Sequence, residues 1–260
     1  MLHYDTRGTG PTHLLLLHGF LGSGRNLASL ARRLSEVRPD LTVVMPDLRG
    51  HGASPGLTPD ASLELLAQDV LELGQSLSGG QPFELVGHSL GGRVALVASH
   101  LQPEAISRTV LLDIGPTPFV VLHGAMQRIF ERLMGAPMTL ASRAAMREFF
   151  IEGGVTAPLA DWILTNFVAT PEGFAWRIDR AALAQFHWAE AEVDLWPMVP
   201  PLARKLEVLY GGASAFVSQN MRAKLQEAGV HVAELVGASH FVHVDALEDV
   251  VARLATAPAR

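Results

Sequence analysis

Between the apolar run Phe83-Glu84-Leu85-Val86 and a helical-period segment from Leu90 to His100 stands Gly87-His88-Ser89-Leu90-Gly91-Gly92. A serine flanked by glycines at a strand-to-helix junction has a demanding geometry. The serine takes a strained backbone conformation, and the glycines remove the Cβ atoms that would clash in so sharp a turn. The turn lifts the hydroxyl above the sheet, with its backbone near the positive end of the next helix. A chain that carries such a turn is therefore expected to layer helices on a parallel sheet, with Ser89 as its candidate nucleophile.

The rest of the chain alternates in the same way. Strands are predicted at Thr12–Leu17, Leu41–Met45, Phe83–Val86, Arg108–Asp113, Leu206–Tyr210 and His231–Val236, and helices at Asn26–Glu36, Ala61–Leu77, Leu90–His100, Gln219–Ala228 and Val244–Leu254. Short β-rich runs alternating with helical segments give an α/β class with a mostly parallel, twisted sheet flanked by helices. The alternation breaks once. From about Gly115 to Pro201, Met126, Ile129, Phe130 and Leu133, then Met146, Phe149 and Phe150, then Trp162, Ile163 and Phe167, repeat at helical intervals without strand signals. This stretch is read as an inserted helical cap, residues 116–200, on a core of residues 1–115 and 201–260, all within a single domain 1–260. An insertion at the carboxyl end of a parallel strand lies over the crevice where such sheets bind ligands.

Composition narrows the function. Among 260 residues there is no cysteine, which excludes disulfides, thiolate metal sites and a cysteine nucleophile. A net charge of -6 without a Lys/Arg cluster gives no footing for nucleic acid or an anionic membrane. Residues 1–10 lack an apolar signal core, so a cytoplasmic location is expected. No metal and no cofactor are expected, because histidines do not fall at paired ligand spacings and no phosphate-binding glycine fingerprint is present. The expected partner is a small molecule, and a monomer is compatible with this reading.

At the end of the first buried strand, Leu14-Leu15-Leu16-Leu17-His18-Gly19-Phe20 offers a turn whose backbone can face Ser89. Acyl transfer places negative charge on the former carbonyl oxygen, and the N–H groups of Phe20 and Leu90 are the candidate oxyanion donors. Near the C-terminus, Gly237-Ala238-Ser239-His240 follows a strand, and His240 is the candidate base, since imidazole can accept the serine proton and return it. His243 is the rival base. His88 and His18 are read as packed, structural residues.

The segments His18-Gly19-Phe20, Asp47-Leu48-Arg49-Gly50-His51-Gly52, Gly87-His88-Ser89-Leu90-Gly91-Gly92 and Gly237-Ala238-Ser239-His240 resemble the corresponding blocks of α/β-hydrolases and span nearly the whole chain. Three further segments, Leu111–Pro116, Gly211–Val217 and His240–His243, resemble those of YbfF-type bacterial esterases. The resemblance bears on the acid. Many α/β-hydrolases carry it in a Gly-x-x-Asp loop, but here the loop reads Gly212-Ala213-Ser214-Ala215. YbfF-type enzymes draw the acid from the end of the preceding strand, which implies Asp113, with Ser214 as an auxiliary group; Asp47 is the rival, and Asp245 is expected on a helix facing away.

The resemblance implies hydrolysis of carboxylic esters or acyl thioesters through an acyl-serine intermediate. Carbon–carbon bond or lactone hydrolysis and perhydrolysis can use the same groups, and a binding receptor with little turnover is the reading from a different class. The aromatic residues of the inserted stretch suggest an apolar acyl pocket, with Trp162, Phe167 and Trp188 as candidate substrate contacts. From Thr117 to Pro200 six Arg or Lys stand against nine Asp or Glu, a net of -3, which disfavours a polyanionic substrate.

Overall fold

A computed structural model describes residues 1–118 and 125–256, with the backbone alone for 125–128. In chain order the core opens with β1 (Tyr4–Arg7), β2 (Thr12–Leu17), α1 (Ala28–Val37), β3 (Leu41–Pro46), α2 (Leu63–Ser78), β4 (Phe83–His88), α3 (Leu90–Leu101) and β5 (Ile106–Leu112). The inserted stretch holds α4 (Ala125–Gly135), β6 (Thr139–Leu140), α5 (Arg143–Glu152), α6 (Ala157–Ile163), β7 (Phe167–Thr170), β8 (Gly173–Trp176) and α7 (Arg180–Ala191). The core resumes with α8 (Val199–Leu202), β9 (Leu206–Gly211), α9 (Gln219–Glu227), β10 (His231–Leu235), α10 (Val242–Asp245) and α11 (Leu247–Ala255).

The sheet runs β1-β3-β2-β4-β5-β9-β10, with β1 antiparallel and every other pair parallel. Its central strands are buried on both faces, so Leu14, Leu15, Leu16 and Leu17 are all fully inaccessible. Leu15 and Leu17 pack with α2 and α3 residues such as Leu66 and Val94, while Leu14 and Leu16 pack with Leu30, Leu34 and Val251. Removing one such leucine side chain to alanine costs about 2–5 kcal/mol. The start of α2 follows from its cap: the Ser62 hydroxyl accepts from the Leu65 N–H at 3.1 Å, and the helix begins two residues past the expected start at Ala61.

Register places the functional edge. His88 of β4 pairs with Leu112 of β5, and Leu112 pairs with Leu209 of β9. The residues that follow the first two, Ser89 and Asp113, therefore emerge side by side at the carboxyl edge. Gly87 and Gly91 permit the elbow between β4 and α3. A Cβ on Gly87 would lie 2.2 Å from the Gly91 carbonyl oxygen, and one on Gly91 would lie 2.3 Å from that of Leu17.

Three features differ from the sequence expectation. Strand β1 carries a mostly exposed pattern and so lacks the apolar alternation that marks a strand. The inserted stretch is not all helical: β6, β8 and β7 form a small antiparallel sheet, in which Phe167 pairs with Trp176 and Thr170 with Gly173. The C-terminal helix is divided at Ala246, where φ is -128°. Among the described residues no helix is long and apolar enough to cross a membrane.

The inserted stretch has its own core of Ile129, Leu133, Met146, Phe150, Ile163, Phe167 and Leu183. The side chain of Met126 lies outside the described residues. Its two ends are held at one place on the core. The buried Arg93 guanidinium, on α3, donates to the carbonyls of Thr117 (3.3 Å), Glu190 (3.0 Å) and Val193 (2.6 Å). The Leu195 N–H donates to the Pro116 carbonyl at 3.0 Å, and Trp196 Nε1 to the Thr117 hydroxyl at 2.9 Å.

Candidate active site

Ser89 sits at φ 53°, ψ -117°, between β4 and α3. The non-glycine residues with positive φ among those described are Leu21, Ser89 and Asp113. Such conformations cost of order 1–3 kcal/mol each and persist where the surroundings over-determine them. The three fall on three loops that converge at one sheet edge. The Gly19 backbone is close to Ser89, since a Cβ on Gly19 would lie 3.3 Å from the Ser89 Cβ.

Asp113 is fully buried and its carboxylate collects donors. Oδ1 accepts from the Gly211 N–H at 2.9 Å, and Oδ2 accepts from the Ser214 hydroxyl at 2.5 Å and from His240 Nδ1 at 2.7 Å. Since a carboxylate only accepts, Nδ1 of His240 carries the proton and its Nε2 presents a lone pair. The imidazole is further fixed by the Phe216 ring, stacked at 3.7 Å between centroids and 15° between planes. Its loop is held from two more sides: the His240 carbonyl accepts from His88 Nε2 at 2.8 Å, and Asp245 accepts from the Ser239 N–H at 2.9 Å and from the Ser239 hydroxyl. Asp245, exposed at the end of α10, ties down the loop that bears His240, a role outside the expectation that it faces away. Of these supports, Phe216 was legible only as part of the resemblance. Asp245 stands six residues past Ser239, at the end of α10.

Asp47 serves another purpose. Its carboxylate accepts from the Gly24 N–H at 2.8 Å, the Ala53 N–H at 2.8 Å and His3 Nδ1 at 3.1 Å. Burial pushes its pKa up, but these backbone donors outweigh burial and hold it below the usual carboxylate value. It organises the loop after β3 and makes no bond to His240. His243 is buried at the start of α10, its ring 4.5 Å from His88 between centroids, and burial lowers its pKa to about 4.

Two histidines at the His18-Gly19-Phe20 turn, His18 and His51, have fixed tautomers. His18 Nε2 accepts from the Leu48 N–H at 2.9 Å, so Nδ1 bears the proton and donates to the Gly19 carbonyl at 2.8 Å. His51 Nε2 accepts from the Leu21 N–H at 3.2 Å, and its Nδ1 donates to the Arg49 carbonyl at 3.1 Å. Both roles require neutral rings. Burial supplies that, lowering His18 to about 4 and His51 to about 3. Neither the Phe20 nor the Leu90 N–H has a backbone or side-chain acceptor among the described residues.

The candidate substrate contacts separate. Phe167 is buried in the core of the inserted stretch, 5.1 Å from Trp176 and 5.9 Å from Phe174 between ring centroids, so it packs and does not line a pocket. Trp162 lies over the His18-Gly19-Phe20 turn and donates Nε1–H to the Phe20 carbonyl at 3.2 Å. Trp188 is half-exposed and starts an aromatic path inward: it meets Phe130 at 5.0 Å, Phe130 meets His187 at 4.8 Å, and His187 meets Phe20 at 4.6 Å. Helical spacing alone could not distinguish these three fates.

Residues 12–141 match the family model of the alpha/beta hydrolase fold. Lipase LipV of Mycobacterium tuberculosis is 32% identical, over 87% of this chain and 85% of that protein. The sn-1-specific diacylglycerol lipase of Mus musculus is 29% identical, over 91% and 77%, and esterase YbfF of Escherichia coli is 29% identical, over 89% and 87%. Among solved structures, a marine microorganism esterase superposes with a TM-score of 0.85, at 21% identity and with 97% of each chain covered. The chain belongs to the alpha/beta hydrolase fold family.

Proposed function

We propose that the protein is an esterase-type serine hydrolase in which Ser89, His240 and Asp113 form the catalytic triad, with Phe20 and Leu90 supplying the oxyanion hole. The observation that carries this is the bond from His240 Nδ1 to a buried carboxylate, which leaves the other imidazole nitrogen basic on a loop whose His240 carbonyl is held by His88, the residue before the strained serine. Relatives named esterase and lipase support ester substrates over the other reactions the same groups can run.

The chemistry follows from the tautomer. His240 Nε2 takes the Ser89 proton as Oγ attacks the ester carbonyl. The resulting imidazolium is stabilised by Asp113, which stays ionised and is held by three donors. The tetrahedral oxyanion receives the Phe20 and Leu90 N–H groups, each worth about 10² to 10³ in rate. Collapse expels the alcohol, or the thiol of a thioester, with the proton from His240. Water, deprotonated by the same nitrogen, then attacks the acyl-serine and releases the acid. Ser214 keeps Asp113 oriented as an auxiliary member. The inserted stretch, residues 116–200, acts as a cap, and the path from Trp188 to Phe20 forms one wall of the acyl site.

Hydrolysis of p-nitrophenyl esters from acetate to palmitate, with Ser89→Ala as control, tests this reading. Saturable turnover abolished in Ser89→Ala is expected. Turnover equal in the two proteins contradicts the assignment of the nucleophile.

A further inference from the structure

The peptide groups of the turn from Gly19 to Gly22 can be accounted for one at a time. The Gly19 carbonyl accepts from His18 Nδ1 at 2.8 Å and from the Gly22 N–H at 3.0 Å, while the Leu21 N–H donates to His51. The next two carbonyls are held from outside the core sheet. Trp162 Nε1, at the end of α6, donates to the Phe20 carbonyl at 3.2 Å, and Asn166 Nδ2, in the connection to β7, donates to the Leu21 carbonyl at 2.7 Å. Asn166 is fully buried there. The Phe20 N–H is the member left without an acceptor among the described residues.

We propose that Trp162 and Asn166 are positioning residues for the oxyanion hole, so that the seating of the inserted stretch on this turn sets the aim of the Phe20 N–H. The inference rests on the reading of Ser89 and Phe20 given above. Leu21 is left-handed at φ 58°, a conformation a leucine holds only under constraint. Its own carbonyl and that of Phe20 are the two atoms the inserted stretch grips. The Phe20 N–H belongs to the preceding peptide unit, whose Gly19 carbonyl the core holds; releasing the Phe20 and Leu21 carbonyls removes the constraint on the other side of Phe20, so the aim of its N–H then rests on the core bonds alone. Trp162 also packs against the base loop, 5.1 Å from Phe241 and 6.2 Å from His88 between centroids, so one side chain spans the oxyanion turn and the loop of His240.

Trp162→Phe removes the N–H and keeps an aromatic ring; Asn166→Ala removes the other donor. For each, kcat and KM on p-nitrophenyl butyrate, the thermal midpoint, and inhibition by a butyl trifluoromethyl ketone, which adds to a serine as a tetrahedral oxyanion, are measured against wild type. Loss of one hydrogen bond that matters in the transition state is worth about fivefold to tenfold. The expected result for Trp162→Phe is a fall of that size in kcat, a matching loss of ketone affinity, KM within about twofold, and a midpoint within about 3 °C of wild type. Unchanged kcat and unchanged ketone affinity in Trp162→Phe overturn the proposal, and because this variant keeps the ring it carries the test alone should Asn166→Ala fail to fold. Failure of the underlying reading looks different: the ketone then leaves wild type itself uninhibited.

Discussion

Acid should unfold this protein over a window set by its buried histidines. Burial holds His18, His187 and His243 at about 4 and His51 at about 3, and pushes His88 well below the ordinary imidazole value. For His18 and His51 the geometry shows why: each turns a bare nitrogen toward a backbone N–H, so a second proton would set donor against donor. In the unfolded chain each ring titrates near 6.5. Above that pH both states are neutral and these groups leave stability unchanged. As pH falls below it the unfolded chain binds protons that the folded protein refuses, and each such ring removes about 1.4 kcal/mol per pH unit. His18 alone removes about 3 kcal/mol by the time pH reaches its folded value. Four rings with resolved values together remove about 5 kcal/mol per unit, against a typical total stability of about 5–15 kcal/mol. Urea unfolding followed by tryptophan fluorescence at pH 7.5, 6.5, 5.5 and 5.0 reads the slope. The expected result is a flat region above pH 6.5 and a loss of several kcal/mol by pH 5.0, with uptake of about four protons. A slope below about 1.4 kcal/mol per unit means at most one such histidine, and refutes the reasoning.

Asp113→Asn should lower turnover about 10⁴-fold with an unchanged circular dichroism spectrum, because the amide cannot hold the imidazole tautomer; a near-normal rate removes Asp113 from the triad. Ser214→Ala takes one of three donors from Asp113 and should lower kcat about tenfold, read by steady-state kinetics on a short ester. Gly91→Ala drives a methyl into the Leu17 carbonyl and should yield insoluble or unfolded protein, checked by soluble yield and size-exclusion profile. Arg93→Met removes the charged donor that both ends of the inserted stretch share and should cost about 3 kcal/mol in urea unfolding.

The central sheet and the serine elbow were legible in the sequence because their signals are local. The Leu14–Leu17 run and Gly-x-Ser-x-Gly each constrain the backbone within a few residues. The choice of Asp113 as candidate acid leaned on its place at the end of a strand and on a resemblance, since its partners Gly211, Ser214 and His240 lie about 100 or more residues away. The hairpin β7–β8 did carry a readable pattern, Phe167-Val168-Ala169-Thr170 and Gly173-Phe174-Ala175-Trp176 about a two-residue turn. The neighbouring helical repeat of Trp162 and Ile163 masked it. The roles of Trp162 and Asn166 were not readable, because each acts through a carbonyl about 145 residues earlier, and a carbonyl leaves no mark on residue type. His18 and His51 were hidden likewise, as their work depends on which ring nitrogen bears the proton.

Treatment with a fluorophosphonate, which phosphonylates an activated serine hydroxyl, followed by peptide mapping by mass spectrometry, tests the nucleophile most directly. The expected result is a single adduct on the peptide bearing Ser89, formed in step with the loss of ester hydrolysis and greatly slowed in His240→Ala. Full activity without an adduct on Ser89, or inactivation by modification of another residue, contradicts the account.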